Sequence, residues 1–583
     1  MRKILLPVII FLIFSAYYAY QACPTFYFWD SAELTAAVIG DGVPHPTGFP
    51  LLLLLAKIWI AVTPLEKATG LNFFSAFFAG SGLVLWYLIA VRMQRRLFSR
   101  DDNVAASLTS LISVAVLGLS FTYAIQAVRF EVYSLNFFLF AAVLYLALKL
   151  IESHNDGKIR YAVFFAIIGL SLGAHILTAA LVIPGILLLL YLNGKKDIRM
   201  LASGIAGSVI VAVPLYFTLF NMALSRPQLN WGDPSGFSRF LSYIFVEEFA
   251  VKSSSFNPGH LTDNLTFFIK LLIHQLGAIG MLLAAAGLTY IYLRRISLAI
   301  ALTAILILNI FSSAFSVEFF YENLDLHGYH VISLGIASLC VAVALRLFHN
   351  LVRKRSAGKE SRSDPAAVVL TIVVAVLAFI IPLKDNFLGA DLSDVDGKEY
   401  AGLFLENAPP NSVVLTSYYN TYFCLMASDI AYHHDDSLSI QCIYNWDHRW
   451  GREQFARVIG KDLPLDADRQ VFYRNSLNHL MRERPIYIEY DESSRPIVRY
   501  LVPEGLGYIF DAYDTLSVRP DPVAEDIEKY LKIAGKSCQI EWIKTWTLWF
   551  SNRGLFYANR GDSASAQAYY QASESIASKA QLR

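Results

Sequence analysis

A polytopic α-helical membrane protein with a soluble α/β domain at its C-terminal end is the architecture this sequence predicts, on three observations. Of the 583 residues, 55% are hydrophobic, 14% aromatic and only 16% charged, and the apolar residues gather in runs long enough to cross a bilayer. Clusters of Lys and Arg alternate with poorly basic loops, the asymmetry that orients membrane helices. Past Pro382 the charge density rises, and short strand-like runs broken by Pro and Gly replace the long apolar segments.

The elements follow in order. Arg2 and Lys3 precede an apolar run ending at Ala22, which reads as a signal peptide, a lipoprotein signal ending at Cys23, or a first span. Tyr20-Gln21-Ala22-Cys23 lacks the aliphatic residue expected before a lipidated cysteine, and the many later spans favour a retained helix. About eleven spans are expected, at residues 4–22, 71–91, 104–124, 132–151, 161–176, 177–193, 201–219, 270–293, 296–315, 329–348 and 366–382. Arg92/Arg95/Arg96/Arg100, Lys149/Lys158/Arg160, Lys195/Lys196/Arg199, Arg294/Arg295 and Arg353/Lys354/Arg355 mark their inner flanks. The two short spans within 161–193 share a break at Gly173-Ala174-His175, and two spans there keep the charge alternation consistent. Loops 23–70 and 220–269 and everything after residue 382 then face outward. Residues 51–62 are too short to cross comfortably and carry Lys57, so they are expected at the interface as an amphipathic or re-entrant helix.

This divides the chain into a transmembrane domain at 1–382, a soluble α/β domain at 383–522 and a helical region at 523–583. Strands are expected at Ser412–Thr416, Ile486–Tyr490 and Ile497–Val502. In the last region Gly554, Tyr557, Gly561, Ala566 and Tyr570 fall near tetratricopeptide spacing; one such hairpin cannot bury its own core and should pack on helices from 523–545. The stretch 353–365 reads as a solvated basic tether. A net charge of +1 gives no reason to expect a nucleic-acid partner. The five cysteines have no metal-like spacing; Cys424 and Cys442 could pair in an oxidising compartment, but an odd, scattered set defines no framework.

Candidate functional residues concentrate in the outward segments. Asp30 and Glu33 follow the first span one helical turn apart, on one face. Two readings stay open on spacing alone: a helix-capping acidic turn, or a general base with its partner at a membrane-embedded site. Arg129 lies two residues from Glu131 at a span boundary and serves as an interhelical tie or as a lining for an anionic ligand. His175, beside Gly173, is a packing histidine or a second group facing a phosphate. Leu229-Asn230-Trp231-Gly232-Asp233-Pro234 is an ordinary turn or, through an exposed Trp231, a sugar-stacking platform.

Five stretches, Trp29-Asp30-Ser31-Ala32-Glu33-Leu34, His45-Pro46-Thr47-Gly48-Phe49-Pro50, Gln126 to Asn136, Gly173-Ala174-His175 and Leu229 to Pro234, resemble the motif series of a membrane protein family. That family includes a eukaryotic endoplasmic-reticulum protein O-mannosyltransferase acting on IPT domains of plexin-type receptors, and it is placed in the GT-C superfamily of glycosyltransferases. The resemblance covers most of residues 1–350, with a weaker echo at Pro410–Leu425. It implies transfer of a mannose-like hexose from a polyprenyl-phosphate donor to an acceptor protein or glycan outside the cytoplasm. Asp30 would be the catalytic base and Glu33 its orienting partner, with inversion. Arg129 and His175 would hold the donor phosphate, and His45, Glu131, Asn230, Trp231 and Asp233 would contact substrate. No metal ligand is assigned, although a divalent cation beside Glu33 is compatible with the family. Two departures, Ala32 where the family has Gly and Pro46-Thr47-Gly48-Phe49-Pro50 where it has Pro-Pro-Gly-Tyr-Pro, point to a subfamily with a different sugar or acceptor.

A transporter or flippase of a lipid-linked substrate would have a similar number of spans, but no paired pattern of interrupted segments repeats in two halves. A non-catalytic scaffold would leave Asp30, Glu33 and His45 without a purpose. The short N-terminus and the absence of a retention signal suggest a bacterial inner membrane with the site facing the periplasm, or the endoplasmic reticulum in a eukaryote. The charge pattern generates a topology prediction. A reporter fused after Lys384 should lie outside and one inserted in 353–365 inside; the opposite readout at either position would take the Asp30 loop off the outward face.

Overall fold

The computed structural model describes residues 2–98, 102–153, 157–246, 258–314, 323–356, 364–433, 438–460, 463–512 and 522–581. Its first part is a helical bundle. Helix α1 (Arg2–Gln21) packs along α4 (Lys67–Leu97), which also lies against α7 (Val132–Glu152). The helices Pro258–Arg294 and Val331–Ser356 pack together closely: a Cβ added at Gly287 would sit 1.8 Å from the Cys340 carbonyl oxygen. Gly277, with φ +68°, breaks Pro258–Arg294 in a conformation L side chains rarely adopt. Helix α10 (Ile198–Leu224) leaves Ile205, Val209, Ile210, Val213 and Phe217 exposed, as suits a lipid-facing surface.

Seven helices among the described residues are long and apolar enough to cross a bilayer, and one bent pair supplies an eighth, against about eleven expected from sequence. The chain is an integral membrane protein. The shortfall lies in α8 (Lys158–Ala174) and α9 (Ile176–Leu192), seventeen residues each, and in Ile296–Ala314, whose apolar stretch ends at Phe311. Seventeen helical residues reach only about 25 Å, short of a hydrocarbon core of about 30 Å. The expected span 104–124 is corrected to two pieces, α5 (Asn103–Gly118) and α6 (Phe121–Ala127), bent by 69°. Ser120 causes the break by capping α6, its Oγ accepting from the Tyr123 N–H, while Tyr18 takes the Gly118 carbonyl at 2.7 Å. The consequence is that α6 ends beside the loop after α1, where the Cys23 N–H donates to the Val128 carbonyl at 2.9 Å, and presents Arg129.

At the opposite end of the bundle, buried Asp102 is shared by Arg353 at 3.0 Å, His349 at 3.6 Å and Arg346 at 3.7 Å. Of the 353–365 tether, residues 357–363 lie outside the described residues, as does Arg100 of the first basic cluster.

After the helix Pro365–Gly389 comes a five-stranded sheet in the order β2-β1-β3-β5-β4. Strand β1 (Val413–Thr416) is parallel to β2 (Ser439–Cys442) and β3 (Ile486–Ile488); β5 (Gly507–Phe510) is antiparallel to β3 and to β4 (Leu501–Glu504). The expected strand Ile497–Val502 is mostly wrong, since Glu492–Tyr500 forms a 3-10 turn containing Pro496 and the strand starts only at Leu501. Strands β2 and β5 carry no signal that was recognised. Helices Ile540–Asn559 and Ser563–Gln581 make an antiparallel hairpin with Val523–Ala534 against it, joined by Gly561 at φ +83°. Cys424 and Cys442 are buried free thiols.

The C-terminal part sits on the loop after α1. Leu392 and Gly397 donate backbone N–H groups to the carbonyls of Gln21 and Phe26, and Thr25 Oγ1 donates to Asp396 at 2.5 Å. Gln228 of the second outward loop reaches Asp429 at 3.0 Å. These bonds enclose the first outward loop between bundle and sheet.

Candidate active site

The site is built on α2 (Asp30–Ile39), a short helix inside the loop after α1 whose residues Ser31 to Val38 are all buried. Spacing of three puts Asp30 and Glu33 on one face, as the sequence implies. The turn after it brings His45 back to that face. The His45 N–H donates to Glu33 Oε1 at 2.7 Å, and its Nδ1 lies 2.5 Å from Glu33 Oε2. The other ring nitrogen is 3.9 Å from Asp30 Oδ2. Glu33 is fully buried, both its oxygens engaged by His45, whereas the Asp30 side chain is 29% exposed. Tyr243 fixes the turn by donating to the Pro44 carbonyl at 2.5 Å.

Burial pushes Asp30 up, the nearby carboxylates of Asp325 and Glu33 add to this, and His45 and Arg129 oppose it; the result is a carboxyl raised to about 7. For His45 burial alone would lower the value, but Glu33 and Asp30 outweigh it and lift the imidazole to about 10, so it is cationic at neutral pH.

Arg129 stands behind this pair. Its Nη1 is 2.5 Å from Asp325 Oδ1 and 3.3 Å from Glu131 Oε1, and Nη2 donates to Gln126 Oε1 at 3.3 Å. Two residues apart on a helix these side chains would not face each other, and the extended backbone at Glu131, φ −146° and ψ 156°, is what lets them pair. At 1% exposure the guanidinium is enclosed by its own carboxylates and the Tyr27 ring. Its charge is set against those two carboxylates, Asp325 and Glu131. His175 takes the packing position that was one of its two readings. Its Nδ1 accepts from the Thr178 N–H at 3.3 Å, capping α9, and its ring packs on Phe49, Tyr133 and Tyr329.

The turn 229–234 belongs to the domain contact. Val43 and Asn230 form a parallel bridge, and Asn230 Nδ2 donates to Asp233 Oδ1 at 3.2 Å. Asp233 in turn pairs with Arg457 at 3.1 Å and Arg239 at 3.3 Å. Trp231, expected to be exposed, is 7% exposed and packs on Tyr419, Phe423 and Trp450 from the C-terminal domain. Partners about two hundred residues away gave its burial no local signal.

Asp325, on the short helix Leu324–His327, was missed by sequence reading. An acidic residue at the outer edge of the 329–348 span was the available clue. Among the described residues, two groups have donor atoms all within 4.8 Å of one another, Asp30/Glu33/His45 and Asp30/Glu131/Asp325, and either has the chemistry to hold a divalent cation. In the first His45 carries a proton, and in the second Arg129 already lies against two carboxylates.

Residues 30–199 match the profile of a family described as the Protein O-mannosyl-transferase TMEM260 N-terminal domain. The Protein O-mannosyl-transferase tmem260 of Dictyostelium discoideum is 24% identical over 341 residues, 55% of this chain and 40% of that protein. The TMEM260 protein of Mus musculus is 27% identical over 232 residues, 38% of this chain and 31% of its own length. The matched stretch thus spans less than half of either relative. Among solved structures, ArnT from Cupriavidus metallidurans bound to undecaprenyl phosphate aligns with a TM-score of 0.55 at 11% identity, covering 88% of this chain and 99% of that one. Its apo state gives the same TM-score at 13% identity, covering 86% and 97%. The chain has the GT-C fold.

Removing one partner of a buried ion pair strands the other. Arg129→Ala is expected to cost about 3–5 kcal/mol of stability, read as a lowered thermal midpoint in detergent. Arg129→Ala with Asp325→Ala should recover part of that loss, since one of the two orphaned carboxylates is gone and only Glu131 is left unpaired.

Proposed function

We propose that this chain is a membrane glycosyltransferase that moves a mannose-like hexose from a polyprenyl-phosphate donor to an extracytoplasmic acceptor, a Ser or Thr hydroxyl of a protein, with inversion. The observation that carries the reading is Asp30: a partly exposed carboxylate raised to about 7, beside a cationic His45, at the first residue of the O-mannosyl-transferase match. The GT-C fold and the polyprenyl phosphate bound by the ArnT relative support the donor class. The site faces outward, on the periplasmic side of a bacterial inner membrane.

In this reading Asp30 takes the proton of the acceptor hydroxyl as its oxygen attacks the anomeric carbon, and the carbon–oxygen bond to the polyprenyl phosphate breaks. A carboxylate of raised pKa is a stronger base than an ordinary one. Glu33 acts one step removed, by holding His45 with both oxygens. His45 is the cation nearest the open side of the pair, and it supplies positive charge where the leaving phosphate gains negative charge. Among the described residues, the cations set against Asp30, Glu33, Glu131 and Asp325 are Arg129 and His45, an excess of carboxylates that would repel an anionic donor. Burial pushes the Glu131 carboxyl well up as well, against the Arg129 charge beside it.

Transfer from a polyprenyl-phosphate mannose to acceptor protein tests the reading. Asp30→Asn should leave folding and donor binding intact and cut turnover about 10²–10⁴-fold; near-normal turnover in a folded variant would sink it. Glu33→Gln should cost less.

The raised Asp30 pKa sets the pH dependence. Below about 7 the base is protonated, so kcat/KM should climb tenfold per pH unit and flatten above that value. His45 lowers the Asp30 value, so His45→Gln should move the acid limb to higher pH; a limb that stays or moves down would contradict the assignment.

A further inference from the structure

Trp29, the residue before Asp30, has φ +56° and ψ −130°, a combination side chains other than Gly rarely adopt. Strain of this kind persists only where surrounding structure over-determines it. Here the surroundings come from the C-terminal part of the chain. The Trp29 N–H donates to Asn420 Oδ1 at 3.2 Å, and its indole Nε1–H donates to Glu541 Oε2 at 2.8 Å. Both acceptors are themselves fixed: Asn420 Nδ2 donates to Thr545 Oγ1 at 2.9 Å, and Glu541 pairs with Lys544 at 3.1 Å. The preceding Phe28 is wedged against Tyr400 and Trp542.

The Trp29 carbonyl is what starts α2. It accepts from the N–H groups of Ala32 at 3.0 Å and Glu33 at 3.1 Å, so the turn bearing Asp30 and Glu33 hangs from this residue. No side chain caps that helix, which leaves its N-terminus dependent on the Trp29 peptide being held in place. Trp29 is also 38% exposed, so packing alone does not account for its conformation.

We infer that Trp29 is a positioning residue for Asp30, clamped by Asn420 and Glu541, and that the C-terminal domain thereby sets the geometry of the base. The inference rests on the transferase reading for its effect on turnover, but not for its effect on α2. An acceptor that shifts the helix Ile540–Asn559 would be felt at Asp30 through two hydrogen bonds.

The test uses the full-length protein in detergent with Trp29→Phe, which keeps a ring and loses the donor, Glu541→Ala, the double variant, and Glu541→Gln, whose amide oxygen still accepts. Amide exchange at Ala32 and Glu33 is measured beside kcat and KM for polyprenyl-phosphate mannose, with thermal midpoints recorded. The expected result is about tenfold faster exchange and a kcat loss of similar size at unchanged donor KM. The double variant should be no worse than either single one, because both remove the same bond, and Glu541→Gln should retain most of the wild-type values. Unchanged exchange overturns the inference whatever the activity, as does a kcat loss that only follows a fall in thermal midpoint or adds across the pair. Wild-type protein without transfer activity would overturn the transferase reading, and the exchange measurement would still decide the clamp.

Discussion

Buried charge compensation at the outer end of the bundle is the constraint on which the rest depends. Four carboxylates, Asp30, Glu33, Glu131 and Asp325, converge where α2, the α6–α7 loop and the helix Leu324–His327 meet, and Arg129 and His45 are the cations set against them. Charges this enclosed are tolerated only when paired and hydrogen-bonded. The bend after α5 acquires its purpose here, because a straight span over 104–124 would carry Arg129 past its partners. The shift of Asp30 to about 7 is the residue of a balance that burial tips toward the neutral form.

The C-terminal domain is part of this balance and more than a cover over it. Its contacts with Gln21, Phe26, Thr25 and Trp29 fix the loop from which α2 grows. Arg457 and the aromatic group of Tyr419, Phe423 and Trp450 fix the second outward loop through Asp233 and Trp231. Residues that resemble a sugar-binding turn in the sequence are used as the hinge pins between bundle and domain. The same domain also holds Glu489 buried, raised to about 7 by burial and retained by hydrogen bonds from Thr421 and the Ser417 and Tyr418 N–H groups. That carboxylate ties β3 to the helix Tyr419–Ser428, which carries Asn420.

Much of the fold was legible because lipid imposes a one-dimensional code. Apolar run length and flanking Arg and Lys positions located the helices, α8 and α9 on either side of the His175 break included, and the departure at 104–124 has a local cause, the Ser120 cap that splits it. In the soluble region strands of three or four residues carry too little pattern, and Pro496 turned an expected strand into a 3-10 turn. Asp30, Glu33 and His45 were legible for a different reason: they sit within sixteen residues of one another, so helix periodicity and one tight turn suffice to bring them together.

The sequence by itself determined a bundle of apolar helices and an acid pair on one face of a short helix, and it carries a resemblance to the motif series of a GT-C family. Only the tertiary structure decided what each charge faces. Asp325 reaches Arg129 across a separation of 196 residues, and Glu541 reaches Trp29 across 512. No local period encodes such contacts, because they arise from how helices and domain pack once the chain has collapsed. The same packing set Arg129 against Asp325 and Glu131, enclosed His175 as a helix cap, and buried Trp231.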